Sequence, residues 1–278
     1  MKIQREDFVV EHSIYKDISE RTGGDIYIGV VGPVRTGKST FIKQFMDKLV
    51  MPNISEEYEK ERAKDELPQS SAGRTIMTTE PKFVPENAVS IPLDEGAECR
   101  VKLIDCVGYI VPGAMGLMED GQPRMVMTPW YEEPIPFNMA AEIGTQKVIN
   151  EHSTIGLVIT TDGSISDIPR EEYEEAEERV VYELKAINKP FVMLLNCMYP
   201  DSPQAKLTAN AMSEKYGVQV LPVSCLEMEE DDIKEILAHI LFEFPVKEIA
   251  LQMPLWINSL PQEHKIKKEV FPDNGLTT

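Results

Sequence analysis

Basic residues are scarce in this chain: 28 lysines and arginines stand against 47 aspartates and glutamates, for a formal net charge of −19. A surface this acidic repels nucleic acid and anionic lipid. No nucleic-acid partner is expected, and any phosphate site must be built locally, from backbone N–H groups and one or two cations. The acidity itself serves solubility or, more pointedly, a partner with a basic surface. Cysteine is equally sparse. Cys99, Cys106, Cys197 and Cys225 form no close pair, which excludes a zinc knuckle and a disulfide framework. His12, His152, His239 and His264 are as isolated. Long apolar runs are missing as well. No stretch approaches the ~20 residues that span a bilayer, and Met1 to Glu20 is charged, unlike a secretory signal. The expectation is a cytoplasmic protein without transmembrane insertion. What remains, an apolar fraction of 42% in 278 residues, is enough for a sizeable core.

The apolar residues fall into alternating periods. Ile26 to Val31 reads as a short buried strand running into a glycine-containing loop. Phe41, Ile42, Phe45, Met46 and Leu49 then share one face of a helix over 39–50. Glu56 to Glu66 is charge-dense, a solvated helix face or mobile segment. Lys82 to Pro92 and Arg100 to Asp105 read as two strands joined by a turn at Asp94-Glu95-Gly96. Between 106 and 138, eight prolines and glycines from Pro112 to Pro136 break any regular pattern. A loop this long is either functional or disordered; Trp130, Tyr131 and Phe137 are expected to pack part of it, before a helix over 139–151. The second half alternates plainly: strands at 155–161, 191–195 and 218–223, helices at 171–187, 202–216 and 231–242. Strands alternating with helices imply right-handed crossovers and a mostly parallel sheet. The expected organisation is an N-terminal extension over 1–25 and a nucleotide-binding domain over 26–245. Residues 246–278 would be a C-terminal extension or the start of a further region.

Gly32-Pro33-Val34-Arg35-Thr36-Gly37-Lys38-Ser39, with Thr40 after it, fits G-x-x-x-x-G-K-[ST] at every required position, between a strand and a helix. The chemistry needs this layout. The glycines let successive N–H groups turn toward phosphate, and the helix N-terminus adds its positive dipole end. Lys38 reaches the β- and γ-phosphates, and the Ser39 hydroxyl ligates Mg²⁺. Asp105 ends an apolar strand, where a magnesium-associated carboxylate belongs, and Asp105-Cys106-Val107-Gly108 has the D-x-x-G form whose glycine N–H senses the γ-phosphate in P-loop GTPases. Thr78 and Thr79, with Thr75 a weaker candidate, lie where such a site needs a threonine that closes on Mg²⁺ and the γ-phosphate. Tyr109 follows Gly108 where many GTPases carry the water-orienting glutamine, so hydrolysis is expected to be slow, assisted by a partner, or organised by Thr78 or Thr79.

Guanine-specific relatives carry Asn-Lys-x-Asp at the end of a later strand. Here the position reads Asn196-Cys197-Met198-Tyr199, and only the asparagine survives. Losing the carboxylate acceptor costs ~1–3 kcal/mol of guanine selectivity. ATP is therefore the expected nucleotide, with Asn196 and Ser224 among its contacts. The fold class expected is α/β, a P-loop NTPase with a GTPase-like three-layer sandwich, its sheet mostly parallel with one antiparallel strand.

Longer stretches resemble one family. Asp17 to Asp25, Val34 to Thr40, Asp65 to Ser70, Thr75 to Phe83, Asp105 to Tyr109, Thr128 to Phe137 and Glu151 to Gly156 are similar to the stage IV sporulation protein A family, over roughly residues 14–255. The resemblance implies an ATPase that builds the base layer of the bacterial spore coat, with hydrolysis driving a conformational change toward self-assembly. It implies Lys38 as the P-loop lysine, Asp105 as the magnesium-associated acid, and Thr78 with Thr79 as sensing threonines. It implies ATP and Mg²⁺ as cofactors. The partners it implies are further copies of the chain, a small amphipathic membrane-bound sporulation peptide and other coat proteins, in the mother-cell cytosol at the forespore surface. Family members continue into further domains. Two other readings compete. A GTPase-like switch is disfavoured by the broken guanine motif. A small-molecule kinase is disfavoured because only Arg35, Arg74 and Arg124 lie near the site in sequence.

Overall fold

The computed structural model describes residues 25–67, 80–92, 98–244, 261 and 264–265. Thr75, Thr78, Thr79 and the turn expected at 94–96 lie outside the described residues, as does the extension over 1–24. The chain divides into two units, Met1–Pro245 and Val246–Thr278, and the fold below belongs to the first.

Strand β1 (Asp25–Val31) leads through the glycine loop into helix α1 (Lys38–Phe45), which widens into a π turn over Met46–Val50. The charge-dense segment is helix α2 (Glu57–Asp65), buried only at Ala63. Then come β2 (Lys82–Pro92) and β3 (Glu98–Asp105), and after the hairpins of the middle region α3 (Phe137–Lys147), β8 (Ile155–Thr161), α4 (Glu174–Ala186) and β9 (Phe191–Asn196). Helix α5 (Pro203–Tyr216), β10 (Val220–Val223) and α6 (Glu230–Phe242) complete the unit. Local chemistry sets several of these bounds. Ser202 caps α5 by accepting from the Ala205 N–H at 3.1 Å, and Gly217 ends it at φ 61°.

Six strands form one sheet in the order β10-β9-β8-β1-β3-β2. All neighbours are parallel except β2, which runs antiparallel to β3. The period of two sorts each strand's side chains between two cores. Ile26, Ile28, Val30, Leu157, Ile159 and Leu194 pack with Phe41 and Ile42 of α1 and Ile233 and Leu237 of α6. Val31, Ile104, Val158 and Met193 pack on the other face with Phe137 of α3, Val180 and Leu184 of α4 and Met212 of α5. This is the expected three-layer sandwich with one antiparallel strand. Cys106, Cys197 and Cys225 are buried free thiols. Among the described residues no helix is long and apolar enough to cross a membrane.

The middle region departs from the expected irregular loop. It forms two small antiparallel hairpins, β4 (Met118–Glu119) with β5 (Gln122–Pro123) and β6 (Met125–Thr128) with β7 (Tyr131–Pro136). Asp120 and Gly121 both take positive φ, 49° and 77°. That is the two-residue primed turn for which Asp-Gly is the favoured pair, a signal hidden among so many prolines and glycines. Pro123 and Pro134 are tolerated because each hairpin has only two strands, hence edges alone. Of the three aromatics expected to pack, Phe137 is fully buried, whereas Tyr131 is 43% exposed.

Candidate functional site

Sheet order reverses at β1, with β3 on one side and β8 on the other. Such a switch point opens a crevice at the carboxyl ends of the strands, and the glycine loop occupies it. Gly32 takes φ 137°, and a Cβ there would lie 2.3 Å from the Ile159 carbonyl of β8. Only glycine lets the loop lie so close to the sheet. Thr36 steadies the arch by donating from its hydroxyl to the Pro33 carbonyl at 3.0 Å. Pro33, Val34 and Thr36 are buried, Gly37, Ser39 and Thr40 half-buried, and Arg35 exposed at φ 62°. No side chain caps the N-terminus of α1, so its first N–H groups face the arch, as an anion site requires.

Lys38 is 5% exposed. Its Nζ donates to the Pro33 carbonyl at 2.6 Å and is 3.4 Å from that of Gly32. Burial pushes its ammonium pKa below the ordinary value, opposed by nearby Cys106 and Asp105. Asp105 is 4% exposed at the end of β3. Its Oδ2 accepts from the Ser39 hydroxyl at 3.4 Å, while Oδ1 has no hydrogen-bond partner among the described residues. Burial raises its pKa to about 6, against the pull of Lys38 and the Ser39 hydrogen bond. A buried, unpartnered carboxylate oxygen beside a serine hydroxyl fits a hard cation, which prefers oxygen donors. No group of three or more His, Cys, Asp or Glu side chains placed to hold a metal ion occurs among the described residues. A cation here would therefore complete its shell from phosphate oxygens and water, as magnesium commonly does.

The D-x-x-G segment is stitched to the phosphate loop by backbone. The Tyr109 N–H donates to the Gly32 carbonyl at 3.2 Å and the Val34 N–H to the Tyr109 carbonyl at 2.8 Å. Gly108 takes φ 92°, and a Cβ on it would meet the Gly32 carbonyl at 2.2 Å and Lys38 Nζ at 2.6 Å. Its N–H donates to Thr145 Oγ1 of α3 at 3.1 Å. The Tyr109 side chain turns away into the core, 1% exposed. Its hydroxyl bonds Glu183 of α4, and the Arg179 guanidinium lies 4.1 Å over its ring. Tyrosine occupies the glutamine position as a packing residue, which is why it offers nothing to a water at the phosphates.

Asn196 sits at the end of β9, 4% exposed. Its Nδ2 donates to the Thr36 carbonyl at 2.9 Å and its Oδ1 accepts from the Cys225 N–H at 3.0 Å. Both ends of the amide are engaged by the protein, so it fastens the phosphate loop to the segment after β10. Ser224, half-buried just after β10, precedes Cys225 in that contact. Sequence reasoning missed Thr145, whose only signal is a hydroxyl on the buried stripe of α3. It also missed the ion pair of half-buried Arg170 with buried Glu177. Glu177 is fully buried; it accepts from Arg170 at 2.6 and 2.8 Å, Thr160 at 2.5 Å and Tyr216 at 2.6 Å, tying β8 to α4 and α5.

A mostly parallel sheet of this order, with its phosphate loop at the reversal and a buried lysine near a carboxylate from the next strand, defines a P-loop nucleoside triphosphatase. Comparison with known proteins narrows the class. The chain belongs to the stage IV sporulation protein A family, whose ATPase-domain model matches residues 9–245. It is 58% identical over 255 residues to stage IV sporulation protein A of Bacillus anthracis, covering 92% of this chain and 52% of that protein. Against the Clostridioides difficile (strain 630) protein of the same name it is 52% identical over 262 residues, covering 94% and 53%. The chain thus spans about half the length of the curated relatives it matches. Among solved structures, translation elongation factor SelB of Methanococcus maripaludis, in complex with the GTP analogue GppNHp, is similar with a TM-score of 0.45. It is 12% identical, covering 80% of this chain and 34% of that one.

Proposed function

We propose that this chain binds and slowly hydrolyses Mg²⁺·ATP, and that turnover changes the shape of a structural protein that polymerises as the base layer of the spore coat. The observation that carries the reading is the Oδ1 of Asp105, unpartnered among the described residues, beside the Ser39 hydroxyl and buried Lys38, in a chain matching an ATPase-domain family. Bound ATP would supply the phosphoryl group and Mg²⁺ the charge that draws its oxygens. The arch from Gly32 to Thr40 orients the phosphates through backbone N–H groups, Lys38 meets the β- and γ-oxygens, and Ser39 with Asp105 holds the cation. Gly108 reports the terminal phosphate, and Thr78 and Thr79 close on it, Thr79 also toward the cation. Ser224 lies toward the base, and Asn196 braces the loop. The nucleotide-binding region is 26–245, with extensions on either side.

Further copies of the chain, a small amphipathic membrane-bound peptide and other coat proteins are the proposed partners, in the mother-cell cytosol at the forespore outer surface. A GTPase-like switch that binds a protein partner is the second reading, favoured by the D-x-x-G form at Asp105 to Gly108. Competition between ATP and GTP, read beside sedimentation, tests both: a GTP preference overturns the first reading. Replacing Thr78 and Thr79 together is expected to spare binding and stop hydrolysis; unchanged turnover would remove them from the mechanism.

A further inference from the structure

The Gly108 amide already has a partner, and the partner belongs to a helix. Thr145 is fully buried in α3. Its hydroxyl donates to the Ala141 carbonyl one turn back, at 2.8 Å. That commits the proton of the hydroxyl, so toward Gly108 the oxygen acts as acceptor, at 3.1 Å from the amide nitrogen. Gly108 itself stands against Lys38, since a Cβ on it would lie 2.6 Å from Nζ. A phosphate oxygen drawn to Lys38 therefore arrives beside the same N–H that Thr145 holds. One N–H makes one well-aligned hydrogen bond, so the two acceptors compete.

We infer that Thr145 is a latch for the sensing amide: its oxygen stands in for the terminal phosphate and is exchanged for it, coupling α3 to the nucleotide. This rests on the reading of Gly108 as the group that meets the γ-phosphate. The coupling has a path outward. Phe137, the first residue of α3, donates its N–H to the Arg124 carbonyl at 2.8 Å, so the start of α3 is tied to the base of the β6–β7 hairpin. That hairpin presents Met125, Met127 and Tyr131, 51%, 57% and 43% exposed. A ligand shifts an equilibrium only by its differential contacts with the two states, and the exchange at Gly108 supplies such a difference between ATP and ADP. Thr145 is a positioning residue; it touches no reacting atom.

The test is equilibrium binding of Mg²⁺ with a non-hydrolysable ATP analogue, and separately with ADP, to the wild-type chain, Thr145→Val and Thr145→Ser. Thr145→Val keeps the shape and deletes the competing acceptor. It is expected to tighten the analogue about threefold to tenfold, the worth of one hydrogen bond, and to leave ADP unchanged. Thr145→Ser keeps the acceptor and should behave as wild type. A wild-type preference for the analogue that Thr145→Val leaves unaltered overturns the latch alone. Equal binding of analogue and ADP in Thr145→Val as well as in the wild type overturns the reading of Gly108, and the latch with it. Should Thr145→Val fail to fold, hydrogen exchange in wild-type α3 decides: different protection in the two complexes supports the latch, and identical protection overturns it.

Discussion

Asn196 donates from Nδ2 to the carbonyl of Thr36 at 2.9 Å, joining the end of β9 to the middle of the phosphate loop across 160 residues. The contact is to backbone and says nothing about which base is bound. Oδ1 accepts from the Cys225 N–H, so both ends of the amide brace backbone. Asn196→Ala is therefore expected to weaken ATP and GTP alike, by about 1–2 kcal/mol, because it strands a buried carbonyl and a buried N–H. Parallel titrations with both nucleotides check this; a change in their ratio would return Asn196 to the base pocket.

Asp105 opposes the fold while it prepares the site. Its carboxyl pKa is raised from 3.8 to about 6, chiefly by burial. The folded chain thus binds the proton more tightly than the unfolded one. Stability from this group is complete below about pH 4 and is lost as pH rises to about 6, the window between the two values. Above it, Asp105→Asn should stabilise the chain without Mg²⁺ or nucleotide by on the order of 1–3 kcal/mol while weakening Mg²⁺-dependent turnover more than nucleotide binding. Thermal melts and turnover of the same variant test the pair of effects together.

Lys38→Ala removes the single buried ammonium at the arch. Turnover should fall by at least a hundredfold, as for loss of a group that stabilises developing charge. Hydrolysis unaffected by the change would dismiss the site.

Tyr109→Phe separates packing from chemistry. It deletes the hydroxyl bonded to Glu183 but keeps the ring beneath Arg179. The expected cost is about 1 kcal/mol of stability, with turnover within twofold of wild type. A large loss of turnover at unchanged stability would show the hydroxyl at work in the reaction.

Glu177 anchors a buried network, and removing one member of a buried ion pair leaves an uncompensated charge. Glu177→Ala should cost about 3–5 kcal/mol, read by chemical denaturation, because Arg170, Thr160 and Tyr216 all lose their acceptor.

The loop from Gly32 to Ser39 was legible from the chain alone, because its demands are local: glycines where backbone must approach, a lysine and a serine at fixed offsets, a strand before and a helix after. Strand β8 was legible for the same reason, its apolar run being continuous over Ile155–Thr161. The hairpins between Met118 and Pro136 were not, since a primed Asp-Gly turn resembles any other break in a proline-rich stretch until the strands pair. Nor were the partners of Gly108 and Asn196. Each depends on side chains and carbonyls brought from distant sequence, Thr145 37 residues on and Thr36 160 residues back. The amino-acid order by itself determined what could hold a phosphate. Only the packing of α3 and β9 against that loop decided which of its groups are already engaged, because a hydrogen bond forms where the folded layers place donor and acceptor, whatever their separation along the chain.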